Sequence, residues 1–193
     1  MKASNLIEVS LDGEVVNGQG LANLSAVCIH APMHRRGIPA SSTRTCHIRP
    51  RYTTALTQLE DMRLEPSSQN GVNLENLIAC DVEYNGFASS QDEGERMADV
   101  LGDKKILLLA NHGAVTTGDT VAEAYYRLYF LERAAMTQMI AMAAGKRRMI
   151  SEVVQSKMRP LPGALRNDVD LAIVMYFNAM KRVLNAEGSD YAT

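Results

Sequence analysis

LLLANHGAVTTGDTVAEAYYRLYFLERAAMTQ, residues Leu107 to Gln138, is the stretch whose reading decides the fold. Lys105 to Ala110 is a short apolar run of buried-strand length, Asn111-His112-Gly113 reads as a turn, and Ala114 to Thr117 returns as a second strand. His112 falls at the tip of that unit. Thr120-Val121-Ala122-Glu123 is a capping box, in which a hydroxyl and a carboxylate can each satisfy an amide left unpaired at a helix start. From Val121 onward Ala124, Tyr125, Leu128, Leu131, Ala135, Met139 and Met142 keep a helical stripe until Gly145. A strand, a turn, a strand and a long helix therefore follow one another without a gap.

Upstream, Ser90-Gln91-Asp92-Glu93 is a second capping box and Gly102 marks the end of the helix it opens. Leu77 to Val82 is a possible strand, and the Asn-, Gly- and Ser-containing residues between it and Pro66 give no clear element. Thr43 to Ile48 reads as a buried strand, and after Arg49-Pro50 the run Arg51 to Leu59 reads as a short helix entered through a proline. Leu24 to His34 has helical spacing at Leu24, Val27, Cys28, Ala31 and Met33, with Pro32 expected to shorten or kink it. Leu6 to Leu11, Asp12-Gly13 and Glu14-Val15-Val16 form a hairpin pattern, so the chain is expected to open inside a sheet. Downstream, Lys146-Arg147-Arg148 is a solvated charge run, Pro160-Leu161-Pro162-Gly163 interrupts, and a last helix is expected from about Asp168 to Leu184.

Strands interspersed with helices imply layered α/β architecture. At 193 residues, 46% hydrophobic and 22% charged, the chain has the length and balance of one globular domain with a real core. Its formal charge of −2 leaves no footprint for a polyanion, so no nucleic-acid partner is expected. Cys28, Cys46 and Cys80 fit neither a disulfide framework nor a CxxC site, and a reducing cytoplasmic setting is the simplest expectation. No apolar run has signal-peptide or bilayer-spanning length, so no membrane partner is expected either.

The block Leu107 to Gln138 resembles the class II aldolase/adducin family, with its hydrophobic strand, Asn-His-Gly turn and long helix bearing Leu-Glu-Arg-Ala. IHAPMHRRGIP, Ile29 to Pro39, is similar to that family's helix with two histidines four apart, and HIRPRYTTAL, His47 to Leu56, to its His-x-His segment. Pro66 to Gln69 and Glu93 to Arg96 agree as well, and the resemblance covers about residues 5–154 of a single domain spanning 1–193, with a helical extension at about 160–185. It implies a three-layer α/β/α fold around a central, largely antiparallel sheet. It also implies a homo-oligomer, usually a tetramer, with sites near subunit interfaces. The implied chemistry is that of a carbon–carbon lyase, aldolase or decarboxylase in type, using a divalent metal such as zinc or manganese on a small oxygenated anionic substrate. A Lewis acid with an open coordination position stabilises the negative charge that develops on oxygen in such reactions.

Carried over by position, His47 and His112 are metal ligands, whereas histidine frequency alone would favour two ordinary polar residues at strand ends. Where the second histidine of His-x-His belongs, the chain has Arg49, a fixed cation without a lone pair to donate. Arg49 and Arg51 instead offer guanidinium forks to a substrate carboxylate or phosphate. The position of a catalytic Glu in the sugar-phosphate aldolases is Ala26, and no catalytic residue is assigned. His30 and His34 share a helix face but are not principal ligands in the resemblance. Met136, Met139 and Met142 read as core or oligomer packing. The family's N-terminal helices and Gly-Asn-x-Ser-like loop have no counterpart before the hairpin, which leads to the expectation of a truncated chain or a reduced homologue. Two functions follow: the lyase, and a non-catalytic adducin-like assembly or interaction domain.

Overall fold

The computed structural model describes residues 2–36, 44–159 and 166–193, with residues 44–47 and 166–168 described in their backbone only. Its centre is a four-stranded sheet in the order β3-β6-β5-β4, built from β3 (Arg44–Ile48), β4 (Ile78–Asp81), β5 (Ile106–Leu109) and β6 (Gly113–Gly118). β6 runs antiparallel to both β3 and β5, whereas β4 runs parallel to β5. Side chains alternate across a strand, so β5 feeds two cores at once. Leu107 and Leu109 join Val115, Cys28, Ile29, Met33 and Met97 on one face, and Ile106 and Leu108 join Ala114, Leu56 and Leu131 on the other. Each such leucine contributes about 2 kcal/mol by leaving water.

Helices cover both faces, giving the expected α/β/α layers. One layer holds α1 (Leu24–Arg36) and α4 (Gln91–Leu101), and the other holds α2 (Arg51–Leu56), α3 (Gln69–Leu74) and α5 (Val121–Ala144). The two N-caps sit where the sequence puts them: the hydroxyls of Ser90 and Thr120 accept from Glu93 N and Glu123 N, and Gly102 and Gly145 end the helices. The glutamates of the boxes have other work, since Glu123 accepts from Asp119 N and pairs with Arg127, and Glu93 pairs with Arg96.

Four sequence expectations change. The hairpin of β1 (Glu8–Val9) and β2 (Val15–Asn17) forms, but as a separate two-stranded sheet outside the central one. Pro32 does not shorten α1, which runs on to Arg36. Proline has no amide to give the Cys28 carbonyl four residues back, and α4 closes on that spot through Gly94, where a Cβ would stand 1.8 Å from Cys28 O and 2.9 Å from Pro32 Cγ. The turn that holds Pro32 is thus packed closely under a glycine of α4. α3, capped by the Ser68 hydroxyl, and α6 (Glu152–Met158) occupy stretches that gave no helical signal. The last helix, α7 (Arg166–Ala186), begins and ends slightly beyond its expected bounds, and the Pro160 to Gly163 interruption lies outside the described residues.

The stripe of α5 is buried inside this chain over its first turns, while Met142 near its end is exposed. Ala124, Leu128, Leu131, Ala134 and Ala135 are buried, three of them alanines that let the helix lie close to the sheet. Its tyrosines meet α7, with Tyr125 edge-on to Phe177 at 5.9 Å and Tyr126 edge-on to Tyr176 at 5.7 Å between ring centroids. Among the described residues, no helix is long and apolar enough to cross a membrane.

Candidate functional site

The turn between β5 and β6 holds the first candidate residue, and its backbone is tied down on three sides. Asn111 takes the left-handed conformation with φ 56, which asparagine adopts more readily than most side chains. Asn111 N donates to Thr57 O at 2.9 Å, His112 N to Leu109 O at 3.1 Å, and Ala110 N to Asp81 O at 2.9 Å. His112 is therefore carried on a fixed loop, half-buried.

Gly113 then brings the end of β3 against that loop. A Cβ at position 113 would lie 2.9 Å from Ile48 O and 3.1 Å from Arg49 Cγ, so the stem of Arg49 rests where a side chain would otherwise be. The ladder runs His47 to Val115 and Ile48 to Ala114, which sets Arg49 one step further on. Burial, and then the positive charge of Arg49, hold the His112 imidazole below its ordinary range, so it is neutral at pH 7. The structure thus joins His112 and Arg49; His47 stands two residues before Arg49 in β3, its side chain outside the described residues. Arg51 is exposed as the first residue of α2.

Sequence reasoning missed what holds α2 beside the turn. The Glu132 carboxylate, from the Leu-Glu-Arg-Ala core of α5, accepts from Tyr52 N at 2.9 Å, Thr53 N at 2.8 Å and the Thr53 hydroxyl at 2.8 Å. It does from a neighbouring helix what a cap residue does locally. Glu132→Ala is expected to cost about 2–3 kcal/mol, since it orphans a buried threonine and two helix-start amides. The check is a thermal melt with hydrogen exchange, in which the Tyr52 and Thr53 amides should lose protection first.

A second support was equally silent in the sequence. Asp81, buried at the end of β4, receives both arms of the Arg96 guanidinium at 2.8 and 2.7 Å, while Glu93 holds the same arginine. Through the Asp81 carbonyl this cluster reaches Ala110, next to the turn. The Glu-x-x-Arg spacing on α4 marks only the Glu93–Arg96 half of the cluster, and nothing in the sequence ties Arg96 to Asp81.

The other histidines do not join this group. His30 and His34 lie one turn apart on α1 with rings stacked at 6.4 Å, and burial followed by the charge of His34 pulls His30 down to about 4. The folded state therefore prefers the neutral His30, while the unfolded chain takes up its proton near pH 6.5. Stability is full above about pH 6.5 and falls by roughly 2–3 kcal/mol as pH drops toward 4. His30→Gln should flatten that part of a pH–stability curve measured by urea unfolding. Ala26, in the first turn of α1, supplies no acid or base.

Among the described residues, no three His, Cys, Asp or Glu side chains come together as a metal-holding group. A cavity of about 480 Å³ lies elsewhere, walled by Arg63, Glu75, Cys80, Glu152 and Arg159 and not by Arg49, Arg51 or His112.

Known proteins bear on this geometry. A family model for the Class II Aldolase and Adducin N-terminal domain matches residues 1–139. A putative aldolase class 2 protein of Caulobacter vibrioides is 30% identical over 160 residues, covering 81% of this chain and 61% of that protein. The decarboxylase NovR of Streptomyces niveus is 31% identical, covering 74% of this chain and 52% of that protein, and human gamma-adducin is 32% identical, covering 73% and 20%. The chain thus spans less than two thirds of the length of these curated relatives. The crystal structure of an aldolase II superfamily protein from Pseudomonas syringae superposes with a TM-score of 0.80 at 29% identity, covering 99% of this chain and 75% of that one.

Proposed function

This chain belongs to the class II aldolase and adducin family, and from that membership we propose that it takes a small oxygenated anionic substrate of the kind handled by carbon–carbon lyases of the aldolase or decarboxylase type. The observation that carries the reading is the meeting of Arg49 and His112 across Gly113. Arg49, with Arg51 close by in sequence, supplies the positive charge for a substrate carboxylate or phosphate, and the neutral His112 supplies a directional hydrogen-bonding group. The likeness to the decarboxylase NovR and to the putative aldolase class 2 protein of Caulobacter supports the reaction type.

Family lyases use a divalent metal, zinc or manganese, and His47 and His112 occupy the positions that would hold it here. The residues present do not fit a three-histidine centre. Arg49 stands where the third imidazole belongs, repels a dication, and touches the loop of His112. No step of the reaction is therefore routed through a metal in this chain. A second reading, an adducin-like assembly domain, is favoured by the same Arg49, by Ala26 and by the gamma-adducin match. In either case we infer a cytoplasmic homo-oligomer, a tetramer by family likeness.

Titration of the folded chain with inorganic phosphate, pyruvate and malonate, each with and without zinc, tests the first reading. Saturable binding at millimolar concentration or better is expected. Absence of binding to all three, together with a stable oligomer in sedimentation, would replace it with the assembly reading.

A further inference from the structure

We propose that Arg49 has replaced the metal ion of this site outright, so that a small oxyanion is held directly between its guanidinium and the His112 imidazole, without any divalent cation. The inference rests on the site's being one for small oxygenated anions, and it names how such an anion is held. Its ground is the disagreement between the residues at the site and a metal centre.

Three observations converge. First, Arg49 stands beside the loop that carries His112: its Cγ lies 3.1 Å and its Cα 3.3 Å from the place of the missing Cβ of Gly113, and its charge is felt at the His112 imidazole. Second, the carboxylate that holds the start of α2 is already committed: Glu132 accepts from Tyr52 N, Thr53 N and the Thr53 hydroxyl. The arginines elsewhere that shape the fold, such as Arg35, Arg96 and Arg127, are each paired with an acid, whereas no ion pair among the described residues engages Arg49 or Arg51. The positive charge at the turn is thus left for a ligand.

Third, the chemistry of the pair suits an oxyanion and not a cation. A guanidinium presents parallel N–H groups at the spacing of carboxylate or phosphate oxygens. An imidazole adds at least one N–H donor in either charge state. A metal would need lone pairs from the same position, and arginine has none. The ligand class is a small carboxylate or phosphate with at least one group of two free oxygens.

The test is calorimetric titration of the metal-free chain, in the presence of EDTA, with inorganic phosphate and separately with malonate. The expected result is saturable binding of at least one of them, unchanged by EDTA and weakened about tenfold or more in Arg49→Gln, with Arg49→Lys between the two. The tighter of the two anions then identifies the substrate's charged group. Arg49 is exposed, and matched thermal melts of the variants show whether each is folded. Binding that disappears in EDTA and returns with zinc would overturn the inference while leaving the anionic-substrate reading intact. Equal affinity in the parent and in folded Arg49→Gln would also overturn it. Absence of binding with and without zinc would remove both.

Discussion

Arg49→His is expected to raise the affinity of the chain for zinc or manganese by at least about tenfold, equivalent to ~1.4 kcal/mol. The register sets His47 two residues before position 49 on β3, and Gly113 brings position 49 against the loop of His112. The substitution removes a fixed positive charge and adds a neutral nitrogen donor, and both changes act in the same direction. Because imidazole must be unprotonated to bind, the gain should shrink as pH falls below about 6.5. Calorimetric titration of the parent and the variant decides it. Equal, negligible heats from two folded proteins would mean that the three positions do not converge, and the inherited metal site would be lost as an explanation of the sequence pattern.

Gly94→Ala is expected to destabilise the fold by at least about 3 kcal/mol, at the upper end for overpacking because the obstacle is backbone and not a side chain that can turn aside. The new methyl would lie 1.8 Å from the Cys28 carbonyl oxygen, closer than any contact can be, so α1 and α4 must separate. Separation opens the core formed by Cys28, Ile29, Met33, Met97 and Ala98. Urea unfolding of the variant measures the loss. A change under about 1 kcal/mol would show that the two helices do not pack as closely as described.

What the sequence made legible, and what it hid, divides along a physical line. α4 and α5 could be bounded to the residue because their starts and stops are local chemistry: Ser90 and Thr120 cap their own helices, and Gly102 and Gly145 end them. β5, the turn and β6 were equally plain, since an apolar run against a turn has few alternatives. α3 and α6 were hidden because they are short helices held by tertiary contacts: α3 contains Gly71, and α6 is fixed by Ile150 N to Pro66 O and by Arg159 on Glu75. Pro32 did not end α1, which is packed closely against Gly94 of α4 at that turn, a contact with no trace in the sequence.

The site followed the same rule. His112 and Arg49 could be named from motif position, yet their contact depends on Gly113, and the part of Glu132 depends on a fold that brings α5 to the start of α2. Asp81 and Arg96 were silent because a buried ion pair across two elements leaves no periodic trace.

The pairing of β3 with β6 also sets an order of assembly. β5 and β6 turn around on Ala110 to His112, so the half of the site that carries His112 is closed by neighbours in the chain. The half that carries Arg49 must wait for Ile48 to find Ala114 across all of the intervening helices and strands. Loop-closure entropy is paid before such a distant contact returns anything, so this edge of the sheet is expected to zip last. Ligand capture at the turn would then report completed folding more faithfully than helix content does, because a chain can recover its α5 circular dichroism long before its two site halves have met.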